Sequence, residues 1–168
     1  MKVKFAVAFA LLAVSGAASC ATIAEGVAAE FATQNGALAL KVMNSRTDAS
    51  ALVARVSLLL PQRDGEKMSA VAYQATSDVT VAPGKEAMVE LLPVKQLVTT
   101  MQEHGDAPAN GYSRVFVDNE PGKCGACEGL KSYGYRSVGF GAQTVVVLNG
   151  NATTATTLFG GYLVFVNQ

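Results

Sequence analysis

With 168 residues, 13 Lys plus Arg against 13 Asp plus Glu, and 50% hydrophobic content, the chain can bury the core of one compact domain. Balanced charge supplies no basic face for phosphate, so nucleic acid is excluded as an expected partner. Charged residues are only 15% of the chain, which predicts a surface solubilised more by hydroxyls and amides than by ions.

The N-terminus carries an export pattern. Lys2 and Lys4 precede the uncharged run FAVAFALLAVSGAAS, which ends at Cys20. A short basic region, a short apolar region and small residues at the end describe a secretory signal, and the run is too short for a comfortable membrane span. We therefore expect a signal over 1–21 and a protein in the periplasm or cell envelope. Two cleavage readings stand. Ala17-Ala18-Ser19-Cys20 resembles a bacterial lipobox, which would make Cys20 the lipidated first residue and the chain's one membrane contact. Ordinary signal peptidase would cut after Ala18 or Ala21. In either case the mature chain is expected to start between residues 19 and 22. N-terminal mass analysis tests this, with an added diacylglyceryl mass if Cys20 is lipidated and residues 2–18 retained if the reading is wrong.

Beyond the signal, period-2 alternation between turn residues predicts strand after strand, because successive strand side chains face opposite ways. NGALALKVMN places Leu38, Leu40 and Val42 on one parity, and ALVARVSLLLP does the same for Leu52, Ala54, Val56, Leu58 and Leu60. The two runs read as a hairpin joined by a polar loop. MSAVAYQATS is a weaker strand leading into SDVTV. There Ala82-Pro83-Gly84-Lys85 turns the chain, Pro presetting φ and Gly free to take φ > 0, before EAMVEL resumes.

VKQLVTTMQEH (94–104) is the one predicted helix. YSRVFVDNEP is a strand stopped by Pro121, and YGYRSVGFGAQTVVVLNG is a long strand region punctuated by Gly139 and Gly141. NATTATT reads as a connector and GYLVFVNQ as a last strand. The expected fold is all-β: an immunoglobulin-like antiparallel β-sandwich of seven to eight strands over 22–150. The stretch 151–168 is a connector and final strand, which either opens a truncated second domain or completes the first sheet. A closed barrel is the alternative architecture.

Chemistry-bearing residues are sparse. His104 is the one histidine and sits among turn residues, and no zinc-protease, serine-hydrolase, P-loop or Rossmann pattern occurs. No catalytic residue, metal site or cofactor is expected, and the chain does not read as an enzyme. Cys124-Gly125-Ala126-Cys127 lies between Pro121-Gly122 and Gly129 and precedes a strand, so it lacks the helix N-terminus that thioredoxin-like chemistry needs. In an exported protein a small structural disulfide between Cys124 and Cys127 is expected. So short a closed loop removes little unfolded-state entropy. Replacing both cysteines with serine should therefore leave the fold intact and lower thermal stability only slightly; two free thiols in the exported protein, or stoichiometric zinc, would refute the pairing.

The order NGALALKVMN…ALVARVSLLLPQ, SDVTVAPGKEAMVEL, YSRVFVDNEP and a long strand resembles the N-terminal immunoglobulin-like domain of PapD-like periplasmic pilus chaperones. Pro83-Gly84-Lys85 and the string Tyr112, Arg114, Val115, Val117, Pro121 carry the likeness, which spans roughly residues 28–149. The resemblance implies pairing of an edge strand with pilus or fimbrial subunits during their assembly. The alternative reading is an envelope-anchored or surface sandwich, a pilus-like or adhesive protein. For strand pairing, the residues expected to meet the partner are Tyr133, Tyr135, Arg136, Val138 and Phe140. The long strand is expected at a sheet edge, with a bulge near Arg136-Ser137 where the apolar parity changes.

Overall fold

The computed structural model describes residues 20–61, 68–103, 107–119 and 134–167. Nine strands and one helix follow one another: β1 (Ala21–Ala24), β2 (Val27–Gln34), β3 (Ala37–Asn44), β4 (Ala51–Pro61), β5 (Met68–Val81), β6 (Glu86–Pro93), α1 (Val94–Glu103), β7 (Tyr112–Asp118), β8 (Tyr135–Leu148) and β9 (Asn151–Asn167). They form an antiparallel β-sandwich. One sheet has the order β1-β2-β3-β6, the other β5-β4-β8-β9-β7.

Local chemistry explains the turns. Asn35-Gly36 and Asn149-Gly150 both take positive φ, 52° and 78° in the first pair and 49° and 79° in the second. Two-residue turns of that shape match the twist of a hairpin, so β2 pairs with β3 and β8 with β9. Pro83-Gly84 does something else. Gly84 sits at φ 68°, and Lys85 N–H donates to Ala82 O across the turn at 3.1 Å. The chain thereby passes from β5 in one sheet to β6 in the other.

The corner between β3 and β4 is fastened by a buried amide. Asn44, 1% exposed, donates from Nδ2 to Ala49 O and Val81 O, each at 2.9 Å, and accepts the Arg46 N–H at 3.1 Å. At the same corner Arg46 bonds the Asp48 carboxylate, which holds that carboxyl below its ordinary range.

Between the sheets, Phe31, Leu38, Leu40 and Val42 face Val53, Val56, Leu58, Phe140, Leu163 and Phe165 in one apolar core. Phe31 and Phe140 meet edge to face across it, ring centroids 4.8 Å apart. The helix adds Leu97, Val98 and Met101, all buried. Among the described residues one polar group in the core has no hydrogen-bond partner, the hydroxyl of Thr144, whose residue is fully buried. Thr144→Val keeps the shape and removes that uncompensated group. It should leave stability unchanged or raise it by up to about 1 kcal/mol in a urea melt; a clear loss would show that the hydroxyl is satisfied in solution.

Several sequence expectations are corrected. The sandwich has nine strands among the described residues, against seven to eight expected. β3 and β4 are not a hairpin, because they lie in different sheets. NATTATT is no connector: it begins β9, which pairs with β8 from Asn151 onward and continues through GYLVFVN to pair also with β7. Residues 151–167 therefore complete the five-stranded sheet. The YSRVFVD strand stands outermost in that sheet, beside β9.

Candidate strand-pairing site

The long strand β8 is not at a sheet edge. It stands between β4 and β9 in the strand order. Its two halves nevertheless differ. From Gly141 to Leu148 it has β4 on one side and β9 on the other, through pairs such as Leu59↔Gly141 and Leu52↔Val147. From Tyr135 to Phe140 it pairs with β9 alone among the described residues. β4 leaves it after Leu59: Leu60 and Pro61 pair with β5, at Ala70 and Met68. Pro61 has no N–H to offer a neighbour. Among the described residues the result is a notch in the sheet between the end of β4 and the start of β8.

The ladder lining that notch is regular. Pairing with β9 runs one to one from Tyr135↔Val166 to Ala142↔Phe159, so the bulge expected near Arg136-Ser137 is absent; the irregularity lies between Ala142 and Thr144. Without a bulge, alternation divides the predicted contact residues between the two faces. Val138 and Phe140 are buried on the core face, 6% and 0% exposed, and underlie the notch. Tyr135 is 38% exposed on the outer face, and Arg136 is exposed where the strand begins. Tyr133 lies outside the described residues, as do Cys124, Cys127 and His104. The structure thus brings Tyr135, Arg136, Val138 and Phe140 onto one open segment, with only the first two facing solvent.

Every outer strand, by contrast, is blunted. β1 is four residues long and carries an extra residue at Ile23 relative to β2. β5 has 14 residues against 11 in β4, the surplus taken up at three register shifts. β6 is bulged opposite Leu38/Ala39 and ends in Pro93. β7 is bulged at Ser113. Bulges, short lengths and proline are the devices by which sandwiches keep edge strands from pairing with other chains.

Sequence reasoning missed Ser137, whose hydroxyl is buried in the same segment with no partner among the described residues, and Asn119, which clasps β2. Neither carries a pattern a single sequence could reveal.

Cys20 is exposed and immediately precedes β1. Its thiol donates to Glu30 Oε2 at 3.5 Å, and Glu30 faces Lys41, which also pairs with Glu86 at 3.0 Å. Desolvation and the Glu30 charge push the thiol above its ordinary value. In protein made without the signal, Cys20 should alkylate more slowly than a free cysteine at mildly alkaline pH, because less thiolate is present. Glu30→Gln should speed the reaction; an unchanged rate would remove Glu30 as a cause.

No group of three or more His, Cys, Asp or Glu side chains is gathered to hold a metal among the described residues, and no described helix is long and apolar enough to cross a membrane. No family model and no curated protein matches the chain. A solved structure of a protein from Archaeoglobus fulgidus is similar to it at 11% identity with a TM-score of 0.39, covering 89% of this chain and 98% of that one.

Proposed function

We propose that this chain is an exported β-sandwich binding module that acts by strand pairing, taking an extended segment of a partner protein beside Tyr135–Phe140. One observation carries the reading: the regular ladder of β8 loses its β4 neighbour at Gly141 while every outer strand is bulged. Backbone hydrogen bonds along such a ladder supply affinity, and alternate side chains supply register and specificity. The resemblance to pilus chaperones supports pilus or fimbrial subunits as the partner class. The N-terminal pattern supports the periplasm or envelope as the place. Binding requires no cofactor and no catalysis.

A photoreactive residue in place of Tyr135 tests the proposal in the protein exported to a periplasm beside its envelope partners. The expected product is a crosslink to one extended segment of one protein, lost in an otherwise folded chain that carries Arg136→Asp. Scattered products, the same as from a reactive residue at exposed Thr80, would count against it.

A second reading has its own support. Cys20 stands exposed directly before the first strand, so a lipidated chain would hold the sandwich at the membrane surface with almost no tether. An envelope-anchored structural or adhesive protein fits that arrangement. A diacylglyceryl mass on Cys20, together with no strand partner at β8, would favour it.

A further inference from the structure

β2 is covered by β1 only from Val27 to Ala29. The next residue whose backbone faces away from β3 is Phe31, two positions on, because outward-facing pairs alternate along an antiparallel strand. No strand meets it among the described residues. Asn119, just past the end of β7, meets it instead: Phe31 N–H donates to Asn119 Oδ1 at 2.7 Å, and Asn119 Nδ2 donates to Phe31 O at 2.8 Å. A carboxamide that gives and takes in this way offers one residue of β2 what a neighbouring strand would offer it. Cys20 stands beside Glu30, so in a mature chain that begins at Cys20 or later nothing upstream remains to extend β1 along β2 to Phe31.

We propose that Asn119 is a lock on this edge, keeping the end of β2 that no described strand covers from pairing with β2 of a second copy. The second copy is the fitting occupant because the edge is self-complementary. In an antiparallel pair centred on Ala32, the outward-facing Phe31 of one copy meets the outward-facing Thr33 of the other, and Glu30 meets Gln34, so no like charges are opposed. Both bonds that Asn119 now makes would be replaced by bonds to the second Thr33. The lock acts on the backbone of β2 in one sheet and the notch on that of β8 in the other, so either can fail without the other.

Ala32→Cys tests the proposal, since the central pair of such a dimer is of the close, non-hydrogen-bonded kind, which a disulfide can span. In the mature full chain carrying Cys20→Ser, Ala32→Cys alone should stay monomeric under oxidation. Combined with Asn119→Ala it should give a reducible covalent dimer, and the Phe31 amide should exchange at least about tenfold faster in Asn119→Ala monomer than in the parent. Asn119→Asp, equal in shape but without the donor, runs in parallel should the alanine variant fold poorly. Equal crosslinking with Asn119 present, or none when it is replaced in a folded chain, overturns the proposal.

Discussion

Gly161→Ala is expected to destabilise the protein by about 1–3 kcal/mol, the usual cost of forcing extra carbon into a filled core. A Cβ at Gly161 would come within 2.5 Å of Phe31 Cδ2 and within 2.7 and 2.9 Å of Phe140 Cζ and Cε2. Those two rings are buried and locked edge to face across the two sheets, so neither can yield without breaking the other's packing. For a chain of this size the loss corresponds to a fall in Tm of roughly 3–10 °C. The neighbouring residue is the control. A Cβ at Gly160 would find nothing nearer than 3.9 Å, so Gly160→Ala should melt close to the parent. Equal melting of the two variants would show that the Phe31–Phe140 contact is loose in solution.

The second large effect belongs to Asn44. Asn44→Leu removes both donors that satisfy the carbonyls of Ala49 and Val81 and the acceptor that takes the Arg46 N–H. Leaving a buried polar group unpaired costs about 1–3 kcal/mol, so the two buried carbonyls alone predict a loss of about 2–6 kcal/mol in chemical denaturation. Asn44→Asp should depend on pH in a defined direction. Its carboxylate would face two carbonyl oxygens in a buried site, so its folded-state pKa would rise above the unfolded value near 3.9. The penalty would be smallest below the unfolded pKa and would grow as pH rises toward the folded one. A flat difference from the parent across that range would contradict the orientation of the Asn44 amide.

Much of the fold could be read from residues one strand at a time. Leu38, Leu40 and Val42 announce β3 because the core needs their shared parity, and Pro83-Gly84 announces a turn because few other residues meet its dihedrals. Which strands pair was not legible. β3 and β4 are adjacent in sequence and alike in pattern, yet the corner fastened by Asn44 sends them to different sheets. The threonine-rich start of β9 reads as a linker because hydroxyls favour loops, although β-branched threonine suits a strand. Asn149-Gly150, the turn that makes β8 and β9 a hairpin, was the signal that could have corrected it.

The candidate site was half legible. Tyr135, Val138 and Phe140 stood out as apolar residues among glycines, but their division into exposed and buried depends on a strand without a bulge. The position of β8 inside the sheet follows from contacts with β4 about 80 to 100 residues earlier in the chain, and alternation alone carries no information about them.

Residue-resolved amide hydrogen exchange on the free monomer tests the strand-pairing account most directly. Backbone groups facing an open notch are bonded to water, whereas those between two strands are held by both neighbours. The account predicts that alternate amides within Tyr135–Phe140 exchange orders of magnitude faster than those of Ala142–Leu148 on the same strand, and become protected when an extended partner segment binds. Uniform slow exchange from Tyr135 to Leu148 in the free monomer would contradict it, since the notch would then already be filled by the protein itself.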